Sequence, residues 1–154
     1  MQCVMCDGQR MTSEVGAHKF DFGLDEKVTL EGVSLSRCPD CGEEEVGIVA
    51  MDELFRVMAR EVATKETDLS AKEVRFLRKW LGLSGVEFAE VMGVTPETVS
   101  RWENGRGDLK SSADKLLRLI VLGHTEDRLP PRLPLHAGKR RIMLQSGHWD
   151  IKAA

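Results

Sequence analysis

The stretch Ser84–Gly107, SGVEFAEVMGVTPETVSRWENGRG, decides how the chain is read. Ser84 with Glu87 three positions on is a capping box, in which each side chain satisfies a backbone amide at the other residue. Thr95 followed by Pro96 is a cap with proline at the first helical position, where its missing N–H costs nothing. Gly93 lies between them, where a helix closes through left-handed backbone. Two short helices are expected, 85–92 and 96–104, joined by a tight turn at Gly93-Val94.

Outward from this pair the same grammar repeats. Ser70 with Glu73 is a second capping box, predicting a helix over 71–81, and a further helix is expected at about 111–122. Gly82 and Gly105 follow predicted helix ends. Each cap is preceded by an apolar residue able to staple onto the first turn: Leu69 on Val74, Leu83 on Phe88, Val94 on Val99. The expected core is Val74, Leu77, Leu81, Phe88, Ala89, Met92, Val99, Trp102, Ala113, Leu116, Leu117 and Ile120. Leu119 and Leu122 fall off that side of the last helix, which makes them a candidate dimer contact.

On a wheel of about 100° per residue, Val99 and Trp102 point inward and Glu97, Ser100, Arg101 and Asn104 outward. A short-chained polar face with one arginine is what reading base edges in a major groove requires. Arg101 would fork onto guanine, and Asn104 would meet adenine or a phosphate. Thr95 and Thr98 at the helix N-terminus, Ser84 at the preceding one, and Arg106 past the end suit phosphates. The plainer alternative is a solvated face with a Glu97–Arg101 ion pair. Glu97 itself either accepts from cytosine N4 or holds Arg101 in place.

All four cysteines lie near the start, as Cys3-x-x-Cys6 and Cys38-x-x-Cys41. Two such knuckles deliver four thiolates to one tetrahedral Zn²⁺. Disulfides fit poorly with a reducing cytosol, and a redox CxxC lacks a surrounding βαβ pattern. A closed four-sulfur sphere would make the metal structural. His18 reads as an ordinary strand or surface histidine. The 31 residues between the knuckles must carry structure. Lys19–Leu24 alternates, with Phe20, Phe22 and Leu24 on one face. Val28–Leu30 and Val33–Leu35 also alternate, with Gly23–Lys27 and Glu31-Gly32 as turns. Three short strands are expected to return Cys38 to Cys6. Met51–Lys65 has helical spacing, with Leu54, Val57, Met58, Glu61 and Val62 on one side.

The fold class is therefore α+β: a small four-cysteine zinc-binding β domain (1–50), a linking helix (51–68), and an all-α helix-turn-helix domain (69–123) that resembles the lambda-repressor-like fold. Residues 124–154 form a Pro-rich connector over Arg128–Leu135, then a basic segment and a possible short strand at Ile142–Leu144. Net charge is −7 over residues 1–66, +1 over 67–123 and +3 over 124–154. An acidic front and a mildly basic back argue for two modules with different partners. No run approaches a membrane span and no secretory signal opens the chain, so a cytoplasmic location is expected. No nucleophile–base pair, open metal site or phosphate loop suggests an enzyme.

The segment VEFAEVMGVTPETVSRWENGRG resembles the Xre/Cro-type helix-turn-helix family. CVMC with VTLEGVSLSRCPDCGEE resembles the YgiT-type zinc-binding domain. In this order, over roughly residues 1–122, they resemble the MqsA/YgiT-like antitoxins of bacterial toxin–antitoxin pairs. The resemblance implies a dimeric repressor whose front binds a toxin and whose back binds its own operator. It places Cys3, Cys6, Cys38 and Cys41 on zinc, and Arg101 and residue 97 facing the bases; some relatives carry a neutral amide at 97. A stand-alone regulator without a toxin, and a thiol- or metal-responsive DNA switch, are the alternatives.

Overall fold

A computed structural model describes residues 2–8, 11–125 and 140–153. The chain forms two compact units. The first comprises Met1–Phe20, Val28–Glu53 and Lys139–Ala154, the second Asp21–Lys27 and Leu54–Gly138.

The first unit is built on a long hairpin, β1 (Thr12–Phe20) against β2 (Val28–Arg37), antiparallel from Phe20↔Val28 to Thr12↔Arg37. The expected turn at Glu31-Gly32 is not a turn. Both segments belong to one continuous strand, and Gly32 is an extra residue in it, since Ala17 faces Glu31 while Gly16 faces Val33. At φ +83 a glycine accommodates this bulge at little cost. The bulge also shifts the alternation, so that Val28 and Leu30 are buried and then Val33 rather than Gly32. An even-period reading stumbles at this point and infers two strands.

The expected strand over Lys19–Leu24 also ends early, at Phe20. The Asp21 carboxylate accepts the Gly23 amide at 2.7 Å and Gly23 takes φ +75, which breaks the ladder. Phe22 is consequently not a strand residue. It lies in the second unit, edge-on to Phe55 (centroids 5.2 Å apart) and to Phe76 (6.1 Å).

A short β3 (Glu44–Gly47) follows the second knuckle and pairs with Ser34–Arg37 of β2. The remaining strands come from the far end of the chain. β4 (Arg140–Gln145) runs parallel to β2, and β5 (His148–Ala153) closes an antiparallel hairpin on β4. The Pro-rich connector expected at Arg128–Leu135 lies outside the described residues.

Helix α1 (Met51–Thr64) is followed by α2 (Ala71–Trp80), α3 (Gly85–Met92), α4 (Pro96–Glu103) and α5 (Ser111–His124). The local chemistry that predicts their starts is present. Both capping boxes are closed in both directions, and Thr95 Oγ1 accepts from the Thr98 amide. Val74, Leu77, Phe88, Ala89, Met92, Val99, Trp102 and Leu117 are buried as expected.

The last helix is rotated from its expected setting. Leu116 is 40% and Leu119 48% exposed, while Leu122 is 2% exposed, so Leu122 belongs to the core and not to an outer contact. The buried stripe is Asp114, Leu117, Arg118, Val121 and Leu122. Two charged residues are inside because Arg118 closes the end of α1. It donates to the carbonyls of Ala63 (3.3 Å), Lys65 and Thr67 (2.7 Å), and to Asp114 at 2.8 Å. Helix C-termini leave such carbonyls without partners, and a cation is favoured there.

Candidate metal centre and candidate nucleic-acid face

The β1–β2 hairpin returns the chain to its start and brings the two CxxC segments together. The four sulfurs lie within 4.8 Å of one another, with Cys3–Cys41 and Cys6–Cys38 each at 3.6 Å. Sulfurs on a tetrahedron about 2.3 Å from a central ion are separated by about 3.8 Å, so the set has the dimensions of one ion's ligand sphere. All four cysteines are free, Cys3 and Cys38 buried and Cys6 and Cys41 exposed. These residues form a metal-binding site.

The two knuckles are built alike. The Cys3 amide donates to Gly8 O and the Asp7 amide to Cys3 O; the Cys38 amide donates to Glu43 O and the Gly42 amide to Cys38 O. The fifth residue of each, Asp7 (φ 57) or Gly42 (φ 77), takes the left-handed conformation. Asp7, not Gly8, is thus the counterpart of Gly42. A Cβ on Gly8 would crowd the Cys6 sulfur at 3.2 Å and displace the Asp40 carboxylate, whose oxygen would lie 2.5 Å away. Backbone amides of Cys41 and Asp40 point at the Cys38 sulfur and lower its thiol to about 7. At Cys6 the Gly8 amide pulls downward, but the Cys41 and Cys38 thiols push it up to about 12. Such mutual repulsion among thiolates is what a bound cation relieves. His18, half-buried on β1, is not a member of the cluster.

In the second unit, α4 presents Glu97, Ser100 and Arg101 to solvent, with Asn104 capping its end, while Val99 and Trp102 are buried. Thr95, Arg106 and Ser84 are exposed and Thr98 is half-buried. The hydroxyl oxygens of Ser84 and Thr95 accept amides as caps, from Glu87 at 3.2 Å and from Thr98 at 3.3 Å. Each hydroxyl proton is thereby turned outward or toward a neighbour. The Glu97 carboxyl is held below the ordinary range by its own backbone amide, the Thr95 hydroxyl and the Arg101 charge. It is therefore an anion beside Arg101.

Asn104 is more constrained than its sequence position suggests. Its amide nitrogen donates to Ser100 O at 2.7 Å and to Ser100 Oγ at 3.3 Å, and its oxygen accepts from Arg75 at 3.4 Å. The support behind this face was not visible in the sequence. Glu103, shielded from solvent, takes Arg78 through two bonds (2.5 and 3.1 Å) and Arg75 at 3.4 Å. The arginines are three apart on α2, a spacing legible in the chain, but their partner lies on another helix.

A four-thiolate metal knuckle pair followed by a capped helix-turn-helix defines the class of protein: a metal-binding regulator with a separate helical module. Over residues 1–127 the chain matches the family described as the antitoxin component of bacterial toxin–antitoxin systems, MqsA. The protein belongs to the MqsA antitoxin family. It is also similar to the uncharacterized HTH-type transcriptional regulator YiaG of Escherichia coli (strain K12) and of Escherichia coli O157:H7. In each case identity is 34% over 67 residues, 44% of this chain and 70% of the relative. Among the described residues no helix is long and apolar enough to cross a membrane.

Proposed function

We propose that the protein is the antitoxin of a type II toxin–antitoxin pair and the repressor of its own operon. It would act in the cytoplasm as a homodimer on operator DNA, with no catalytic role. The outward face of α4 carries this reading. Arg101 is the one cation on a surface whose other members are short and polar, and it has the fork geometry that recognises guanine O6 and N7. Glu97, one turn before Arg101 on the same face, would either accept from cytosine N4 or hold the guanidinium in place once DNA is bound. Ser100 lies on the same surface, Asn104 fixes its C-terminal edge, and Ser84, Thr95, Thr98 and Arg106 contact phosphates. A two-fold dimer would read half-sites about one helical turn apart.

The metal we assign is one zinc ion on Cys3, Cys6, Cys38 and Cys41. Four thiolates in tetrahedral spacing suit a d¹⁰ ion, and a closed sphere leaves no position for a reacting ligand, so its role is to hold residues 1–50 folded. The division of labour assigns toxin binding to the front, whose net charge of −7 over residues 1–66 suits a basic partner such as a ribonuclease. Residues 51–68 link it to the DNA module at 69–123.

Arg101→Ala is expected to weaken operator binding by about 1–3 kcal/mol and to relax preference at one base pair per half-site. Titrations against operator variants measure both. Equal weakening on every sequence would reduce Arg101 to a phosphate contact. The toxin assignment is tested by co-expression with the product of the adjacent gene: a stable complex and restored growth are expected, and the absence of both would leave only the regulator.

A further inference from the structure

β2 has two edges. β1 covers one along its whole length, but β3 covers only Ser34–Arg37 of the other. The remaining half is an unpaired strand edge except for the segment that returns from beyond the helices. Thr29, Leu30 and Glu31 pair in parallel with Arg141, Ile142 and Met143. The paired residues Leu30 and Ile142 are both fully buried. Trp149, on the other strand of the hairpin, is 3% exposed and its indole N–H donates to the Val49 carbonyl at 3.1 Å. Gly32 makes room, since a Cβ there would lie 3.2 Å from Leu144 O.

These are the components of strand addition: a strand edge that β1 and β3 leave open, for affinity, and sockets for particular side chains. The guest is held by a ladder of three residue pairs and two buried side chains. It also lies outside the segment shared with the family, which ends at residue 127.

We propose that the Thr29–Glu31 edge of β2, with the adjoining Val49 carbonyl, is a strand-acceptor groove, and that the hairpin 140–153 is its resident occupant, closing it to strands of other proteins. The ligand class it would take is an extended segment with a branched aliphatic residue opposite Leu30 and an N–H-bearing aromatic near Val49. A covalently tethered occupant competes intramolecularly, so the groove opens only to a partner that outbids this hairpin.

The test uses the full chain and a synthetic peptide of residues 139–154 carrying fluorotryptophan at position 149. An Ile142→Asp/Trp149→Ala variant, with its own hairpin disengaged and its metal content unchanged, is expected to bind the peptide at least tenfold more tightly than the wild type. Equal binding by the two, or none by the variant, would overturn the proposal. Should the variant lose its metal, the wild type decides. At millimolar peptide the fluorine signal is expected to move to a buried, shifted position, and an unmoved signal counts against the groove.

Discussion

Replacing Cys41 by serine is expected to empty the metal site and unfold the sheet around it, while the helical unit stays folded. The four sulfurs come from two knuckles that are separated in sequence and lie within 4.8 Å of one another only when the hairpin between them is formed. A module of this size buries too little apolar surface to hold such a meeting point unaided. Structural zinc contributes on the order of 10 kcal/mol or more to folding in comparable small sites. Serine supplies a poorer ligand, and the remaining thiols keep their mutual repulsion. Metal per chain should fall from one towards zero. Hydrogen exchange should show β1 and β2 losing protection while α2, α3 and α5 keep theirs. A Cys41→Ser protein that retains one tightly bound metal would remove the four-thiolate assignment.

Arg118→Met is expected to be the most damaging single change in the helical unit, at about 3–5 kcal/mol, the usual cost of breaking a buried ion pair by removing one partner. Arg118 and Asp114 are 6% and 8% exposed. Without the guanidinium, the Asp114 carboxylate keeps only the Leu69 amide at 3.3 Å, and the carbonyls of Ala63, Lys65 and Thr67 lose their donor. The loss is a large fraction of the total stability of an ordinary domain, about 5–15 kcal/mol. Urea unfolding of wild type, Arg118→Met and Asp114→Asn/Arg118→Met measures it. The double variant should lose less than the single one, because its buried charge is gone. A single variant within about 0.5 kcal/mol of wild type, the range of ordinary surface changes, would show that the pair is not structural.

These two sites differ in how visible they were. The cysteine knuckles are legible because both members of each pair are local and the chemistry of thiolates is narrow. Arg118 has no place in the expected core, since apolar patterning assigns a charge to solvent unless its partner is known. That partner, a row of carbonyls at the end of α1, is about fifty residues away. The same blindness put Leu122 on the outside and concealed the Glu103 carboxylate that steadies Arg75 and Arg78.

By itself the sequence determined what depends on neighbours along the chain. The starts of α2, α3 and α4 follow from Ser70, Ser84 and Thr95 bonding to amides three residues on. The inward set of Val99 and Trp102 follows from helical period. The metal ligands follow from two CxxC loops. Tertiary structure alone decided the rest. Gly32 turned two expected strands into one bulged strand, because a ladder needs its partner's register before an extra residue can be recognised. Phe22 left the strand for an aromatic cluster. The hairpin at 140–153 joined a sheet begun more than a hundred residues earlier, a pairing that no local pattern encodes because its warrant is the open edge it fills.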